Sequence, residues 1–404
     1  MAHPPSALWL PFTQMGEFEP SKRTFVRGEG NYLFDFAGRR IFDAVSSIWT
    51  TVHGHCHPRI VERIARQAAT LDHSTLLGAT NPLAEELAAR LAALTGTSRA
   101  FFASDGSSAV EAALKIAVQY WQNAGEPQRT RFVHLVDAYH GDTAGAMSVS
   151  DIALFKSRFA PLTFETIAYG EVSRVLDSPE VAAIIVEPIV QAAAGMRIVP
   201  KAAYERFKNI SPLVIVDEIA TGFGRTGTLL ASEQLGLEPD IICVGKGITG
   251  GTLALSATLV CERVYAAFLG NHAQHKHLFH GHSYAGNPIA CAAALANLDL
   301  FDSERTLQRV REAAQSIGGA LEDVRSHRLV REVRQTGLMI GIELRAEAIA
   351  ARGISAAWDV SDALYARGHF TRPIGDTIQF VPPLSSTPGE LSSFLEAVRE
   401  TLGS

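Results

Sequence analysis

Cysteine is scarce in this 404-residue chain, which has four: Cys56, Cys243, Cys261 and Cys291. Their separations match no paired metal-ligand spacing, so reduced thiols in a cytoplasmic protein are expected rather than a disulfide framework or a zinc module. Charge is sparse as well. Asp, Glu, Lys and Arg make up 19% of the chain, the formal net charge is −6, and there is no long basic run. That excludes the usual electrostatic footprint of a nucleic-acid binder and a polybasic membrane patch. No apolar run approaches the roughly 18–20 residues of a membrane-spanning helix. The start, MAHPPSALWLPF, lacks a charged segment followed by a long apolar stretch, so no signal peptide is expected. Repeats and low-complexity segments are missing too. What remains is 47% hydrophobic residues, enough for a large core and for two or three domains, or one large and one small.

One stretch organises the rest, LVIVDEIATGFGRTGTLLASEQLGLEPDIICVGKGITGGT, from Leu213 to Thr252. Two β-branched apolar runs, 213–216 and 241–244, suit strands buried on both faces of a parallel sheet. The first ends in Asp217 and the second in Gly245 and Lys246. Open α/β sheets bind ligands at the carboxyl ends of their strands. An Asp after a strand is often only a cap, and a lone Gly-Lys-Gly is often a solvated loop. Together on one edge they suit pyridoxal phosphate, which needs a lysine for its carbonyl and an acid against its ring nitrogen.

The rest of the chain supplies a matching frame. Residues 1–20 read as an extended arm with packing aromatics, and residues 24–44 as a small meander of strands. His53, His55 and His57 alternate before Pro58, but no partner set accompanies them, so no metal site is expected. A helix is expected from Pro58, with Ile60, Ile64 and Ala68 on one face, and another from near Pro82. Further strands are expected near 99, 131 and 182, which makes a mostly parallel α/β sheet, with 254–260 joining it antiparallel. At residues 105–108, Asp-Gly-Ser-Ser opens a helix whose free amides suit a phosphate, or whose Asp105 or Ser107 simply caps it. Tyr139 and His140 follow one strand, Glu187 and Gln191 another, and Tyr139 could stack on a ring or lie in the core. An Ala-rich helix is expected before 301. Residues 302–404 change character to a smaller α+β unit, with a helix over 303–325, strands near 329–344 and a helix near 355–368. The expected division is 1–57 as arm and small-domain segment, 58–301 as the large domain and 302–404 as the rest of the small one.

These motifs, DEIATGFGRTG followed by GKGITGG, closely resemble the signature of the class III aminotransferases, pyridoxal-phosphate enzymes of fold type I. LWLPFTQM, HSTLLGATNP, YHGDTAGAMSV, EPIVQAAAGM, FHGHSYAGNP and TRPIGDTIQFVPP extend the resemblance over nearly the whole chain. They are most similar to the branch that aminates 8-amino-7-oxononanoate in biotin synthesis, with S-adenosylmethionine or lysine as amino donor. Other class III ω-amino-acid or diamine transaminases share the cofactor residues, and an aminomutase shares the fold. The resemblance implies that Lys246 holds pyridoxal 5'-phosphate and moves the proton. It implies Asp217 at the ring nitrogen, Tyr139 and Ile219 on the ring faces, and Gly106 and Ser107 at the phosphate. Ser283 would reach the phosphate of a neighbouring subunit, which makes the expected unit a homodimer with sites at its interface. Trp49, Asp142, Gly281 and Arg372 would bind substrate, Arg372 through its carboxylate. Glu187, Gln191 and Arg225 would stand near the cofactor or its mouth. The chain departs from relatives at Phe12, at Ile48 before a single Trp49, at the Ser104-Asp105-Gly106 order, and at Gln379.

Overall fold

The computed structural model describes residues 7–16, 23–170, 175–345 and 356–403. Positions 1–6 and 17–20 of the expected arm, and position 355 of the last expected helix start, lie outside them. A seven-stranded sheet forms the centre. Its strands are β1 (Arg99–Ala103), β2 (Arg131–Leu135), β3 (Ile167–Tyr169), β4 (Val181–Val186), β5 (Leu213–Asp217), β6 (Ile241–Val244) and β7 (Ser256–Val260), in spatial order β1-β7-β6-β5-β4-β2-β3. β7 runs antiparallel to both its neighbours and the other pairings are parallel. Apart from Asp217 and Cys243 the central strands are made of Val, Ile, Ala and Leu, and every residue of β4, β5 and β6 is buried. Each Val or Ile so buried contributes about 1.5–3 kcal/mol. β5 and β6 lie side by side with Asp217 opposite Cys243, so Asp217 and the Gly245–Lys246 turn leave the sheet at one edge. The expected strands are all present; β3 is an addition. It has three residues at the sheet's rim, Ile167 and Tyr169 half-buried and Ala168 exposed, too few for an alternating pattern to stand out.

Four helices fix what the sheet edge presents: α1 (Pro58–Ala68), α2 (Pro82–Thr95), α3 (Gly106–Asn123) and α4 (Pro288–Ser303). Asp105 caps α3, its carboxylate accepting from the Ser108 N–H at 3.0 Å and the Ser108 hydroxyl at 2.8 Å. α4 starts at Pro288 behind Asn287, whose side chain accepts the amides of Ile289 and Ala290. Its small side chains let it pass close beneath the site. Ala293, Ala296 and Leu300 pack on Ile60 of α1. The buried Asn297 donates to the carbonyls of Gly247 and Ile248 at 3.0 Å each, which pins the turn carrying Lys246.

The smaller sheets come from both ends of the chain. Phe25–Glu29, Tyr32–Asp35 and Arg40–Asp43 form an antiparallel meander, joined in parallel by His369–Phe370. Val330–Thr336, Met339–Leu344 and Thr377–Phe380 make a second antiparallel sheet. The helix expected over 303–325 is two helices, Thr306–Ser316 and Gly318–Arg325. The break falls at Ile317, φ −91° and ψ 1°, directly before the Gly318-Gly319 pair, whose low helix propensity disfavours one continuous helix. His55 bonds Asp43 and His57 bonds Glu304, while His53 is buried against the same Glu304. Among the described residues no helix is long and apolar enough to cross a membrane.

Candidate active site

A cavity of 440 Å³ opens at the carboxyl edge of the sheet. Of the residues singled out from the sequence, Trp49, Gly106, Ser107, Tyr139, Asp217 and Ile219 line it. Lys246, Arg372 and Glu187 line it too. Asp217 sits at the end of β5 and is almost wholly buried. One carboxylate oxygen accepts from the Ile219 N–H at 3.0 Å, and the other lies 2.7 Å from His140 Nδ1. A carboxylate only accepts, so His140 carries its proton on Nδ1. Its Nε2 is buried with no hydrogen-bond partner among the described residues. The bond fixes the carboxylate at one place in the cavity lining.

Lys246 follows β6 in a left-handed backbone conformation, φ +42°, which turns its side chain into the cavity. Burial pushes its amine down to about 8, against the opposing pull of Asp217 and Glu187. Its Nζ stands 4.6 Å from the centroid of the Trp49 ring. Glu187 is buried and pushed up to about 7, mainly by burial, with Asp217 adding to the rise. Its carboxylate accepts the amides of Tyr139 at 3.1 Å and Ala192 at 3.2 Å, tying together two loops that border the cavity. Burial and Asp142 raise the Tyr139 phenol, which therefore stays protonated.

The start of α3 adds an anion cradle to the lining. The amides of Gly106 and Ser107 open α3 and donate to no acceptor among the described residues, so the positive end of the helix faces the cavity. A side chain at Gly106 has no room: a Cβ there would lie 2.8 Å from Ile219 Cγ2. Asp142 stands one bond behind the lining. Its carboxylate accepts from the Tyr139 hydroxyl at 2.9 Å, and its N–H donates to Ser107 Oγ at 3.2 Å. At the mouth, Arg372 donates to the Phe12 carbonyl of the arm at 3.1 Å. Burial and nearby Arg23 lower its guanidinium. Gln379 connects the two sides of the mouth, accepting from Trp49 Nε1 at 2.7 Å and donating to the Arg372 carbonyl.

Other expected residues lie elsewhere. Gln191 is buried and donates to the Val136 carbonyl at 2.8 Å. Arg225 is buried too and bonds Ser46 Oγ, the Pro382 carbonyl and the Thr51 carbonyl. Neither borders the cavity. Gly281 and Ser283 are exposed on a surface loop and do not line the cavity of their own chain. His140 and Phe155 are the residues that sequence reasoning left without a role. His140 had a signal in its place beside Tyr139 after a buried strand. Phe155, edge-on to both Phe12 and Tyr139, had none beyond being apolar.

An amine, a buried carboxylate and an anion cradle around one cavity at the carboxyl edge of a mostly parallel sheet define a pyridoxal-phosphate transferase of fold type I. The family model for aminotransferase class-III matches residues 17–402, and the chain belongs to that family. It is 40% identical to the adenosylmethionine-8-amino-7-oxononanoate aminotransferase of Nitratidesulfovibrio vulgaris, over 97% of this chain and 79% of that one. It is 39% identical to the enzyme of the same name from Geobacter sulfurreducens, over 98% and 95%. The crystal structure of the Methanocaldococcus jannaschii enzyme of that name superposes with a TM-score of 0.93 at 38% identity, covering 98% of this chain and 97% of that one. An amine transaminase from an uncultivated Pseudomonas species, solved in a PLP-bound form, gives 0.88 at 32% identity, covering 98% of each chain.

The residues present fit pyridoxal phosphate. The free amides of Gly106 and Ser107 would suit a phosphate, Ile219 and Tyr139 the faces of a flat ring, Asp217 a cationic ring nitrogen, and Lys246 a carbonyl carbon. Gly106→Ala should press a methyl group against Ile219 and weaken cofactor retention by about tenfold, roughly 1.4 kcal/mol. Titrating cofactor-depleted protein by fluorescence quenching checks this.

Proposed function

We propose that this class III aminotransferase transfers an amino group to the ketone of 8-amino-7-oxononanoate, giving 7,8-diaminononanoate for biotin synthesis. The observation that carries the reading is the shared cavity of Lys246 and Asp217, with Arg372 at its mouth for a carboxylate-bearing substrate. The named relatives support the substrate, through 36–40% identity over nearly the full chain. Their name supports S-adenosylmethionine as donor.

When bound, pyridoxal phosphate supplies an electrophilic carbon and a ring that withdraws electrons. The protein's own residues do the rest. Lys246 Nζ takes the proton from the donor's α-carbon and returns it, and the low pKa of the amine suits it to both tasks near neutral pH. Asp217, held by His140, would face the ring nitrogen and favour its protonated form. Gly106 and Ser107 would hold the phosphate, and Tyr139 and Ile219 would hold the ring. Trp49 forms a wall beside the reacting amine, and Arg372 clamps the substrate carboxylate. Asp142 steadies the Tyr139 hydroxyl on the substrate side. Gly281 and Ser283 serve the site of a second copy, Ser283 at its phosphate, so that the active unit is a homodimer. Their exposure, next to the exposed apolar residues Leu77, Phe279 and Tyr284, supports that arrangement. Four unpaired cysteines support a cytoplasmic location.

The test is a half-reaction. The yellow holoenzyme is mixed with S-adenosylmethionine, or with lysine, in the absence of acceptor. S-adenosylmethionine should bleach the visible band, and 8-amino-7-oxononanoate should restore it. Bleaching by lysine instead would reassign the donor. Failure of the acceptor to restore the band would move the enzyme to another class III substrate, such as a diamine or an ω-amino acid.

A further inference from the structure

The segment that brings Trp49 to the cavity has an unusual backbone. Ser46, Ser47, Ile48 and Trp49 have φ values of +50°, +48°, +62° and +64°. Four successive residues, none of them glycine, form one left-handed turn, with the Trp49 N–H bonded to the Val45 carbonyl and the Thr50 N–H to the Ser46 carbonyl, both at 2.9 Å. L-amino acids visit this region singly, and a run is disfavoured at every residue, most of all at β-branched Ile48. Nothing in Ser-Ser-Ile-Trp favours the turn locally. The surroundings must hold it.

They do so through Asp43, which is completely buried. One of its oxygens accepts the Ser47 N–H at 3.1 Å, and the other accepts the Ser47 hydroxyl at 2.9 Å. That second oxygen also meets His55 Nε2 at 2.9 Å. Ser46 at the start of the turn donates through its hydroxyl to the Val381 carbonyl at 2.6 Å. Arg225 grips both ends, with Nη1 on Ser46 Oγ at 3.2 Å and Nη2 on the Thr51 carbonyl at 2.8 Å. Neither Asp43 nor Arg225 touches the cavity, but Ile48 and Trp49 both line it.

We propose that Asp43 is a positioning residue for the substrate pocket, holding the left-handed turn Ser46–Trp49 so that Ile48 and Trp49 form the wall beside Lys246. A right-handed turn at the same residues would send both side chains in other directions. The indole would lose its bond to Gln379 and its place over the lysine amine. Asp43 thus acts on specificity without meeting substrate. The inference rests on the cavity being the substrate pocket of the proposed aminotransferase.

The test is Asp43→Asn, alone and in an Ile48→Gly background. Glycine adopts positive φ without strain, so a turn carrying it depends less on the clamp. In the native background Asp43→Asn should raise KM for 8-amino-7-oxononanoate about tenfold. It should leave kcat within about threefold, leave the visible band of the bound cofactor unchanged, and lower Tm by several degrees. In the glycine background the losses in Tm and in KM should each shrink by at least about half. An equal Tm loss in both backgrounds, or an unchanged KM in the native one, would overturn the proposal. If Asp43→Asn does not fold, Ser47→Ala removes a single bond to Asp43 and should raise KM in the same direction; an unchanged KM there would also overturn it. The Tm comparison needs no substrate. Should 8-amino-7-oxononanoate prove not to be the substrate, the coupling between Asp43 and Ile48 is still measured.

Discussion

Lys246→Ala should lower turnover by at least about a thousandfold, some 4 kcal/mol in barrier. Among the described residues Lys246 Nζ is the one side-chain amine that lines the cavity. In the proposed function it has two tasks, attachment of the cofactor and movement of the proton, and alanine removes both. Lys246→Arg should not rescue, because a guanidinium stays protonated and can take no proton at neutral pH. The cofactor should still enter the alanine variant but be removed by dialysis, since the anion cradle and Asp217 are intact. The amine also predicts a pH profile for cofactor uptake by cofactor-depleted wild-type protein. Its neutral form is the nucleophile, and burial has pushed its pKa down to about 8. Uptake should therefore rise about tenfold per pH unit below that value and level off above it. Stopped-flow absorbance measures both effects. Steady-state turnover in Lys246→Ala within tenfold of wild type would remove the residue from its assigned role.

Asp217→Asn should cost about a hundred- to a thousandfold in kcat/KM with little loss of fold. The amide keeps the shape and can still accept the Ile219 N–H, so the loop after β5 stays in place. What disappears is the negative charge facing the ring nitrogen. The amide NH2 now faces His140, whose Nδ1 must accept rather than donate, and no carboxylate is left at this position to favour a proton on the ring. Asp217→Glu keeps the charge but moves it by a methylene, and should recover part of the loss. Steady-state kinetics with a pH titration of the visible band separates these cases. A kcat/KM for Asp217→Asn within fivefold of wild type would mean that the carboxylate is structural only.

The sheet was legible because its central strands are short β-branched runs with no polar residue until their ends. For the same reason Asp217 and Lys246 stood out. The phosphate cradle was legible only as one option, since Asp-Gly-Ser-Ser caps helices with or without a ligand. Asp105 does in fact cap α3 while the two amides behind it stay free. Other features were hidden because sequence reveals side-chain chemistry but not direction. Arg225 and Gln191 have the chemistry of site residues but turn toward backbone carbonyls that distant parts of the chain bring to them. The turn at Ser46–Trp49 had no local signal at all, because its conformation is imposed by Asp43 and Arg225.

The parallel pairing of His369–Phe370 with Phe42–Asp43 has a consequence for the order of events during synthesis. Arg372 and Gln379 reach the cavity only through the segment that follows this late strand. Strands β1 to β7, with Asp217 and Lys246 already at their edge, leave the ribosome much earlier, and domains tend to fold as they emerge. A nascent chain can thus possess its lysine and its anion cradle while the substrate mouth does not yet exist. The residues that would hold the cofactor are thus synthesised before Arg372 and Gln379, and the mouth is complete only when the chain's final strands dock.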